Sequence, residues 1–296
     1  MARSIFNFFD FAPETPALEI VEIGSNPTEF HTDPPVYNAL LIRNKARITG
    51  FDADEKAFAA LAAHQSETMR FFPYAIGDGT EQTLYECAFS TMSSLYEPNA
   101  ELLQHFHMLD EAGKVIRTSK VKTKRLDDIP EIDACDYLHM DVQGAELQCL
   151  KGAEKLLEKV LVVQAEVLFL PMYKNQPLFS EVEIFLRERG FMLHRVNHLA
   201  SRTLKPLCLN GDVLAGWAQW FWGDAVLLRD ISQWGKMSAD QLLRMAALMH
   251  EVYHAFDLVL AILMQRDANA GTADAMRYVQ LLSRDMPELV QKPKAA

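Results

Sequence analysis

Residues 135–153, CDYLHMDVQGAELQCLKGA, decide the fold that we expect for this chain. The segment begins with a short apolar and aromatic run, Tyr137–Met140, and continues through Asp141 and Gly144 into an amphipathic run. That order predicts a buried parallel strand followed by a helix. Ligands of open α/β sheets bind outside the carboxyl ends of the strands, so Asp141 is a candidate site residue. The alternative is that Asp141 only accepts hydrogen bonds from nearby backbone N–H groups.

Composition and charge restrict the class of protein. The chain has 296 residues, 49 % of them hydrophobic, and a formal net charge of −11. It contains no run of lysines and arginines that would follow a phosphate backbone, so we expect no nucleic-acid partner. The four cysteines are scattered without a CxxC pair, which is typical of a reduced, cytoplasmic protein. No uncharged apolar run reaches about 18 residues, so we expect no membrane span.

A second predicted strand, LEIVEIG at residues 18–24, carries Glu22 near its end and closes on Gly24. A glycine at this point lets the backbone approach a ligand closely. The next glycine is Gly50, so the GxGxxG cradle for a pyrophosphate is absent. This argues against NAD or FAD and favours a nucleoside ligand without phosphates.

The next predicted strand, RITGFD at residues 47–52, ends in Asp52. An acidic side chain at this place can accept hydrogen bonds from both ribose hydroxyls of a nucleoside. The alternative is that Asp52 or Asp54 only caps the helix predicted over residues 55–64.

A carboxylate also stands inside the apolar run of residues 161–170. Burying Glu166 there is unfavourable unless it has a partner. Glu166 is therefore held by the backbone or by Tyr173, or it belongs to the site.

The order of predicted strands and helices indicates a Rossmann-like α/β fold with strand order 3-2-1-4-5, which places Gly24 and Asp141 side by side. We expect this domain to span residues 1–230. Its last predicted elements are a strand at residues 191–196 and a strand or hairpin at residues 218–228, with a Gly-Asp turn at 223–224. Residues 1–17 form an arm whose phenylalanines cover a groove, a partner subunit or the chain's own domain. Residues 231–296 form a helical C-terminal extension, with one long helix from Ser238 to a break at Gly271 and a second helix after it.

Several segments resemble one known family. MDVQGAELQCLKGA is similar to the DVEGAE-x-x-VLKGA core of the FkbM-type methyltransferases. Further segments look like family segments in family order across roughly residues 18–228: EIGSNP, GFDADEKAFAAL, AIGDG, SSL and AEVLFLPMYKNQPLFSEVEIFLRERGF. The chain departs from the family pattern at Gln143, where the family often has Glu, and in the missing second glycine after Gly24.

The resemblance implies a class I methyltransferase that uses S-adenosyl-L-methionine, with a mostly parallel seven-stranded sheet and an antiparallel strand near the C-terminal end of the domain. Many members methylate hydroxyls of sugars or of polyketide-type small molecules. By resemblance, Asp141 faces the sulfonium or the acceptor. The other implied cofactor contacts are Glu22, Gly24, Ser25 and Asn26 for the methionine part, Asp52 and Ala53 for the ribose, and Ala75 and Ile76 for the adenine.

Methyl transfer to a hydroxyl benefits from alignment of the reacting atoms and from a general base. Tyr137, His139 and Asp141 share one face of their strand by the period of two. Asp141 is our first choice for the catalytic contact with the acceptor, followed by Glu166 and His139; the alternative for His139 is a core histidine. We expect O-methylation of a small molecule or a glycan.

Two other functions are compatible with the sequence. Residues 250–254, HEVYH, match the H-E-x-x-H pattern, in which two histidines one helical turn apart bind a metal in a hydrolase. A zinc site needs a third protein ligand, which the sequence does not single out, so we assign no metal. The other alternative is a non-catalytic scaffold of the methyltransferase fold. The terminal helices are compatible with a homodimer.

Overall fold

The computed structural model of the chain describes residues 5–24 and 34–290. Its helices and strands follow one another in the order α1 (Phe8–Phe11), β1 (Leu18–Ile23), α2 (Asn38–Ile42), β2 (Ala46–Phe51), α3 (Glu55–Leu61), β3 (Met69–Phe72), β4 (Glu81–Cys87), α4 (Ala100–Leu103), α5 (Leu109–Ala112), β5 (Val115–Lys122), β6 (Tyr137–Met140), α6 (Glu146–Lys151), β7 (Val162–Leu168), α7 (Phe179–Arg187), β8 (Phe191–Arg202), β9 (Gln219–Arg229), α8 (Ala239–Glu251), α9 (Phe256–Ala270) and α10 (Asp274–Asp285).

Seven strands form one sheet in the order β3-β2-β1-β6-β7-β9-β8. The pairs β2–β3, β1–β6 and β6–β7 are parallel, whereas β9 runs antiparallel to β7. This confirms the predicted Rossmann-like α/β fold, its mostly parallel seven-stranded sheet and its antiparallel strand near the C-terminal end. Strands β4 and β5 form a separate antiparallel pair.

Alternation along the central strands separates a core face from a polar face. Leu138 and Met140 of β6 lie in the buried apolar cluster, together with Val163 and Ala165 of β7. Burial of each larger aliphatic side chain in such a cluster stabilises the fold by about 1.5–3 kcal/mol. Because side chains on a strand alternate between the two faces, the intervening polar residues point to the opposite face. Those residues are His139, Asp141, Gln164 and Glu166.

The described residues divide into two compact units. One contains those within Glu19–His31 and Ile48–Leu228, and the other those within Met1–Leu18, Thr32–Arg47 and Arg229–Ala296. The domain division at residue 230 that we drew from the sequence stays a prediction. No helix in the described part of the chain has both the length and the apolar character needed to cross a membrane.

Within the second of these units, the aromatic arm packs onto the helices of the chain itself. Phe8 and Phe11 are buried, with their ring centroids 5.4 Å apart. The Phe8 ring lies 5.6 Å from the His250 ring, and the Phe11 ring lies 5.7 Å from the Tyr278 ring. The arm therefore packs onto residues of the chain itself, and these include helices after residue 230, outside the domain predicted for the arm.

The single helix predicted after Ser238 is wrong. Helix α8 ends at Glu251 and α9 begins at Phe256. Between them, the Ala255 N–H donates to the Met249 carbonyl and His254 has a φ of +51°. The helical spacing continued across this break because apolar positions of both helices are buried, so periodicity alone did not reveal it.

The turn predicted at Gly223–Asp224 is also wrong, because both residues lie inside β9. Gly223 pairs with Val167 of β7, and Asp224 pairs with Glu166. A Cβ atom on Gly223 would lie 2.7 Å from a methyl carbon of Val196 on β8. The glycine thus permits a close approach of β8 to β9 rather than a chain reversal. Strand β8 is also longer than predicted, since it continues to Arg202 rather than ending at residue 196.

Candidate functional site

The crevice between β1 and β6 brings Gly24 against Asp141. The Asp141 N–H donates to the Ile23 carbonyl over 3.0 Å, and Gly24 has a φ of +80°. A Cβ atom on Gly24 would overlap the Asp141 carbonyl oxygen, so only glycine fits here. The predicted neighbourhood of Gly24 and Asp141 is confirmed. The predictions for Ser25 and Asn26 lie outside the described residues.

Asp52 lies at the end of β2, the strand next to β1. Its carboxylate accepts the Asp54 N–H over 2.7 Å, whereas the Asp54 carboxylate accepts the N–H groups of Lys56 and Ala57 at the start of α3. Asp54 is therefore the helix cap and Asp52 is not. Burial raises the pKa of Asp52 to about 6, and the charges of Asp54 and Glu22 add to the rise. Ala53 is exposed between the two acids.

The chemistry of Asp52 fits a ribose. An ionised carboxylate has about four lone-pair positions for hydrogen bonds, and the Asp54 N–H occupies one of them. Partial exposure leaves the Asp52 carboxylate accessible. Ile76, by contrast, packs in the core with 5 % of its surface exposed, and the neighbouring Ala75 carbonyl accepts the Lys124 N–H. Of these two, only Ala75 keeps a partly exposed side chain for an adenine ring.

His139 lies in a polar row across three strands. Its Nδ1 is 3.3 Å from Glu22 Oε1, and its Nε2 is 3.4 Å from the Gln164 amide nitrogen. The Tyr137 hydroxyl donates to the Gln164 amide oxygen over 3.1 Å. Because an amide nitrogen only donates, His139 Nε2 accepts and Nδ1–H donates to Glu22. Both ring nitrogens of His139 are thus already hydrogen-bonded.

Asp141 and Glu166 form a carboxyl pair joined by one amide. Gln143 Nε2 donates to Asp141 Oδ1 over 2.6 Å and to Glu166 Oε2 over 2.9 Å. Burial raises the pKa of Asp141, and burial together with the Asp141 charge raises the pKa of Glu166 well above its ordinary value. Ionisation of one carboxyl group therefore opposes ionisation of the other.

Asp141 is exposed to solvent after the end of β6, whereas Glu166 on the neighbouring strand β7 is partly buried. The carboxyl ends of parallel strands in an open α/β sheet border the ligand crevice, and we call this part of the molecule the cleft. The structure therefore brings Glu22, Gly24, His139, Asp141 and Glu166 together, with Asp52 at the end of the neighbouring strand β2.

Sequence reasoning missed the roles of three residues that hold this pair. The first is Gln143, whose φ of +52° turns its amide toward the carboxyl groups while its carbonyl accepts the Ser94 hydroxyl over 2.6 Å. The second is Tyr173, which we expected as a partner of Glu166. Its hydroxyl instead donates to the Gln143 amide oxygen over 3.2 Å and so sets the orientation of the amide that bonds Glu166. The departure from the family pattern at Gln143 was the available signal.

The third missed residue is Glu146, in the first turn of α6. Its carboxylate accepts the Val142 N–H over 3.0 Å and the Gly144 N–H over 3.3 Å. Burial raises its pKa to about 7. Glu146 therefore holds the turn that carries Gln143, and does not itself reach into the cleft.

The HEVYH segment does not form a metal site among the described residues. His250 Nε2–H donates to the Phe6 carbonyl over 2.9 Å, and the Tyr278 hydroxyl donates to its Nδ1 over 2.8 Å. Burial lowers the pKa of His250 to about 4. Because α8 ends at Glu251, His250 and His254 do not lie one turn apart on a single helix, as the H-E-x-x-H pattern requires. The described part of the chain holds no group of three or more His, Cys, Asp or Glu residues able to bind a metal.

Residues 22–193 match the model of the methyltransferase FkbM domain, which is more than half of the chain. No curated protein matches the chain. Among solved structures, the FkbM methyltransferase of Methylobacillus flagellatus KT is 13 % identical with a TM-score of 0.40, and the match covers 72 % of this chain and 43 % of that one. This chain thus spans less than half of that structure's length.

Two further structures are similar at the same level. A protein of Listeria monocytogenes serotype 4b is 10 % identical with a TM-score of 0.36, and the match covers 94 % of this chain and 97 % of that one. The plantazolicin methyltransferase BpumL, solved with a desmethyl substrate analogue and SAH, is 12 % identical with a TM-score of 0.36, covering 75 % and 80 %. Likenesses this distant carry no argument about the site, so the family assignment depends on the domain match.

Proposed function

Because the chain belongs to the FkbM methyltransferase family, whose methyl donor is S-adenosyl-L-methionine, we propose that it methylates a hydroxyl group of a small molecule or a sugar. The observation that carries the proposal is the Asp141–Glu166 pair, which Gln143 joins beside the Gly24 turn and in which Asp141 is exposed to solvent. A hydroxyl is a weak nucleophile, and a positioned carboxylate that can accept its proton accelerates the transfer.

The cofactor would lie across the crevice of β1 and β6. In this proposal Asp52 accepts the ribose hydroxyls, with Ala53 beside it, and the backbone at Gly24 borders the methionine part together with Glu22. Ala75 and Ile76 would border the adenine. When bound, S-adenosylmethionine supplies a methyl group on a positively charged sulfur.

The acceptor would lie on the side of Asp141 away from Asp52. Asp141 contacts the acceptor hydroxyl and takes its proton, since Gln143 stabilises the ionised form of Asp141 by donating to it. Glu166 holds a proton, because its pKa is raised, and can donate it to an acceptor oxygen. His139 acts as a positioning residue, because Glu22 and Gln164 already occupy both of its ring nitrogens.

The charge of the cleft favours an uncharged acceptor. Asp52, Asp141 and Glu166 are all acids, and a carboxylate- or phosphate-bearing acceptor would be repelled by those that are ionised. We propose a neutral polyhydroxyl compound, such as a glycan or a hydroxylated small molecule. The reaction would take place in the cytoplasm, with a helical extension after residue 230 that is compatible with a homodimer.

Two measurements test the proposal. Calorimetric titration of the purified protein with S-adenosylmethionine should give heat of binding, whereas a non-catalytic scaffold should give none. A screen of hydroxylated compounds with a labelled methyl donor should then give a methyl ether, and treatment with a chelator should leave the yield unchanged. A hydrolytic activity that the chelator abolishes would favour the hydrolase alternative built on residues 250–254.

A further inference from the structure

A hydrogen-bonded Asp–His pair continues the row of acids toward the edge of the sheet. Asp224 on β9 pairs directly with Glu166 on β7. Residues directly opposite on antiparallel strands point to the same face, with Cβ atoms about 4.5–5.5 Å apart. His198 on β8 follows, with its Nδ1 2.7 Å from Asp224 Oδ2. Neighbouring strands thus contribute Asp141, Glu166, Asp224 and His198 in order across the sheet.

The backbone brings His198 to this place at a conformational cost. His198 has a φ of +45° inside β8, a region that residues with a side chain seldom occupy. Gly223, next to Asp224, lets the two strands approach, because a Cβ there would lie 3.2 Å from the Asn197 carbonyl and 2.7 Å from Val196. Unusual conformations of this kind re-aim a side chain next to functional sites.

The two ends of the row differ in their access to water. Glu166 and Asp224 are partly buried, whereas 73 % of the His198 side chain is exposed. Asp224 lies at Nδ1 of His198, so Nε2 is the ring nitrogen on the side away from the carboxyl group. The imidazole thus connects a partly buried carboxyl group at one nitrogen with bulk water at the other.

We propose that Asp224 and His198 are the outlet through which the carboxyl pair releases the acceptor's proton to solvent. The inference rests on the proposed function. In the reaction, the acceptor oxygen bonds to the methyl carbon as the carbon–sulfur bond breaks, and its proton passes to Asp141. Bound acceptor and cofactor would cover Asp141, so the proton passes by Glu166 to Asp224, with a water molecule bridging where side chains do not touch. Asp224 delivers it to His198 Nδ1, and the ring then loses the proton on Nε2 to water.

The first experiment measures release of S-adenosylhomocysteine from S-adenosylmethionine, with a protein-free small-molecule extract as the acceptor probe. His198→Asn keeps a donor for Asp224 and tolerates the left-handed backbone, but it removes the basic nitrogen. We expect kcat to fall about 10- to 100-fold, with KM for S-adenosylmethionine unchanged. Asp224→Asn should lower kcat by a similar factor, also with KM for S-adenosylmethionine unchanged. His107 is a partly exposed histidine that is hydrogen-bonded to the Leu207 carbonyl. The matched control is His107→Asn, which should keep wild-type activity.

Rescue separates a proton role from a structural one. His198→Gly permits the same backbone and leaves room for free imidazole, which should restore a large part of the lost turnover. Imidazole should not restore turnover to Asp224→Asn. Turnover of His198→Asn within about twofold of wild type, or no rescue of His198→Gly, overturns the relay. If the wild type does not bind S-adenosylmethionine, it is the proposed function that fails.

A second measurement needs no acceptor. Diethylpyrocarbonate modifies unprotonated histidines, and the product can be mapped by mass spectrometry. At mildly alkaline pH, His198 should react several times faster than His107, and Asp224→Asn should remove the difference. Equal rates for the two histidines in the wild type overturn the relay even where the extract yields no product.

Discussion

The sequence contains two notable clusters of titratable residues, and these clusters have opposite environments in the folded chain. The HEVYH segment has the spacing of a metal site, yet His250 is 2 % exposed and both of its ring nitrogens are hydrogen-bonded within the fold. Asp141 is exposed to solvent, and one amide, that of Gln143, joins it to the partly buried Glu166. Both clusters are polar, but His250 is buried and Asp141 is exposed.

This difference shows that a functional site is distinguished from a structural cluster by the remaining hydrogen-bonding capacity of its side chains and by their access to solvent. Residue spacing alone does not make the distinction. Both ring nitrogens of His250 have hydrogen-bond partners, and burial lowers the pKa of this histidine, so the ring stays neutral. In the Asp141 cluster, burial together with the Asp141 charge raises the pKa of Glu166, which is typical of functional sites. Four experiments test this difference between the two clusters.

The largest effect is expected at Asp141. Asp141→Asn keeps the shape of the side chain but removes the proton acceptor, so turnover should fall about 100-fold or more. The affinity for S-adenosylmethionine should stay within about threefold of wild type, as measured by calorimetry. Asp133→Asn, at an exposed carboxylate, is the control. Turnover within about threefold of wild type would show that Asp141 is not the base.

The next effect concerns the cofactor side of the cleft. Asp52→Asn should weaken binding of S-adenosylmethionine about 10- to 100-fold, because hydrogen bonds to a charged group contribute about 1.5–3 kcal/mol. Asp54→Asn retains a good helix cap and should leave affinity unchanged. Equal affinities for the two variants would remove Asp52 from the cofactor site.

A smaller effect follows from the raised pKa of Asp52. With a pKa of about 6, most of this carboxyl group is ionised at pH 7 and little of it at pH 5, so affinity should fall about tenfold over that range. A carboxyl group whose pKa is raised in the folded state stabilises the fold as the pH falls, so its own protonation does not unfold the protein. Asp52→Asn should flatten the profile; an equally steep profile in that variant would assign the pH dependence to another group.

The smallest effect on activity is expected in the HEVYH segment. His250→Leu leaves the Tyr278 hydroxyl and the Phe6 carbonyl without their partner, which should lower the free energy of unfolding by about 1–3 kcal/mol in urea titrations. Tyr278→Phe completes a double-mutant cycle, in which the two changes should be clearly non-additive. Methyl transfer should stay within about twofold of wild type. A chelator-sensitive activity that His250→Leu abolishes would reverse the comparison.

Much of the fold could be predicted because it depends on short-range pattern. Apolar runs that end in Gly24, Asp52 and Asp141 indicated the strands and their carboxyl ends, and the sheet order followed from alternation of strands and helices. The same reasoning failed at Gly223–Asp224 and at residues 252–255. Glycine serves both turns and close strand approach, and helical spacing can continue across a break.

The sequence by itself therefore determined the sheet, the family resemblance and the acids that end its strands. Only the tertiary structure decided which polar groups are already satisfied: it joined Asp141 to Glu166 through Gln143, brought His198 to Asp224, and closed His250 between Tyr278 and Phe6. The physical reason is that strand period and turn chemistry are local, whereas hydrogen-bond partners and solvent access depend on residues far apart in the chain.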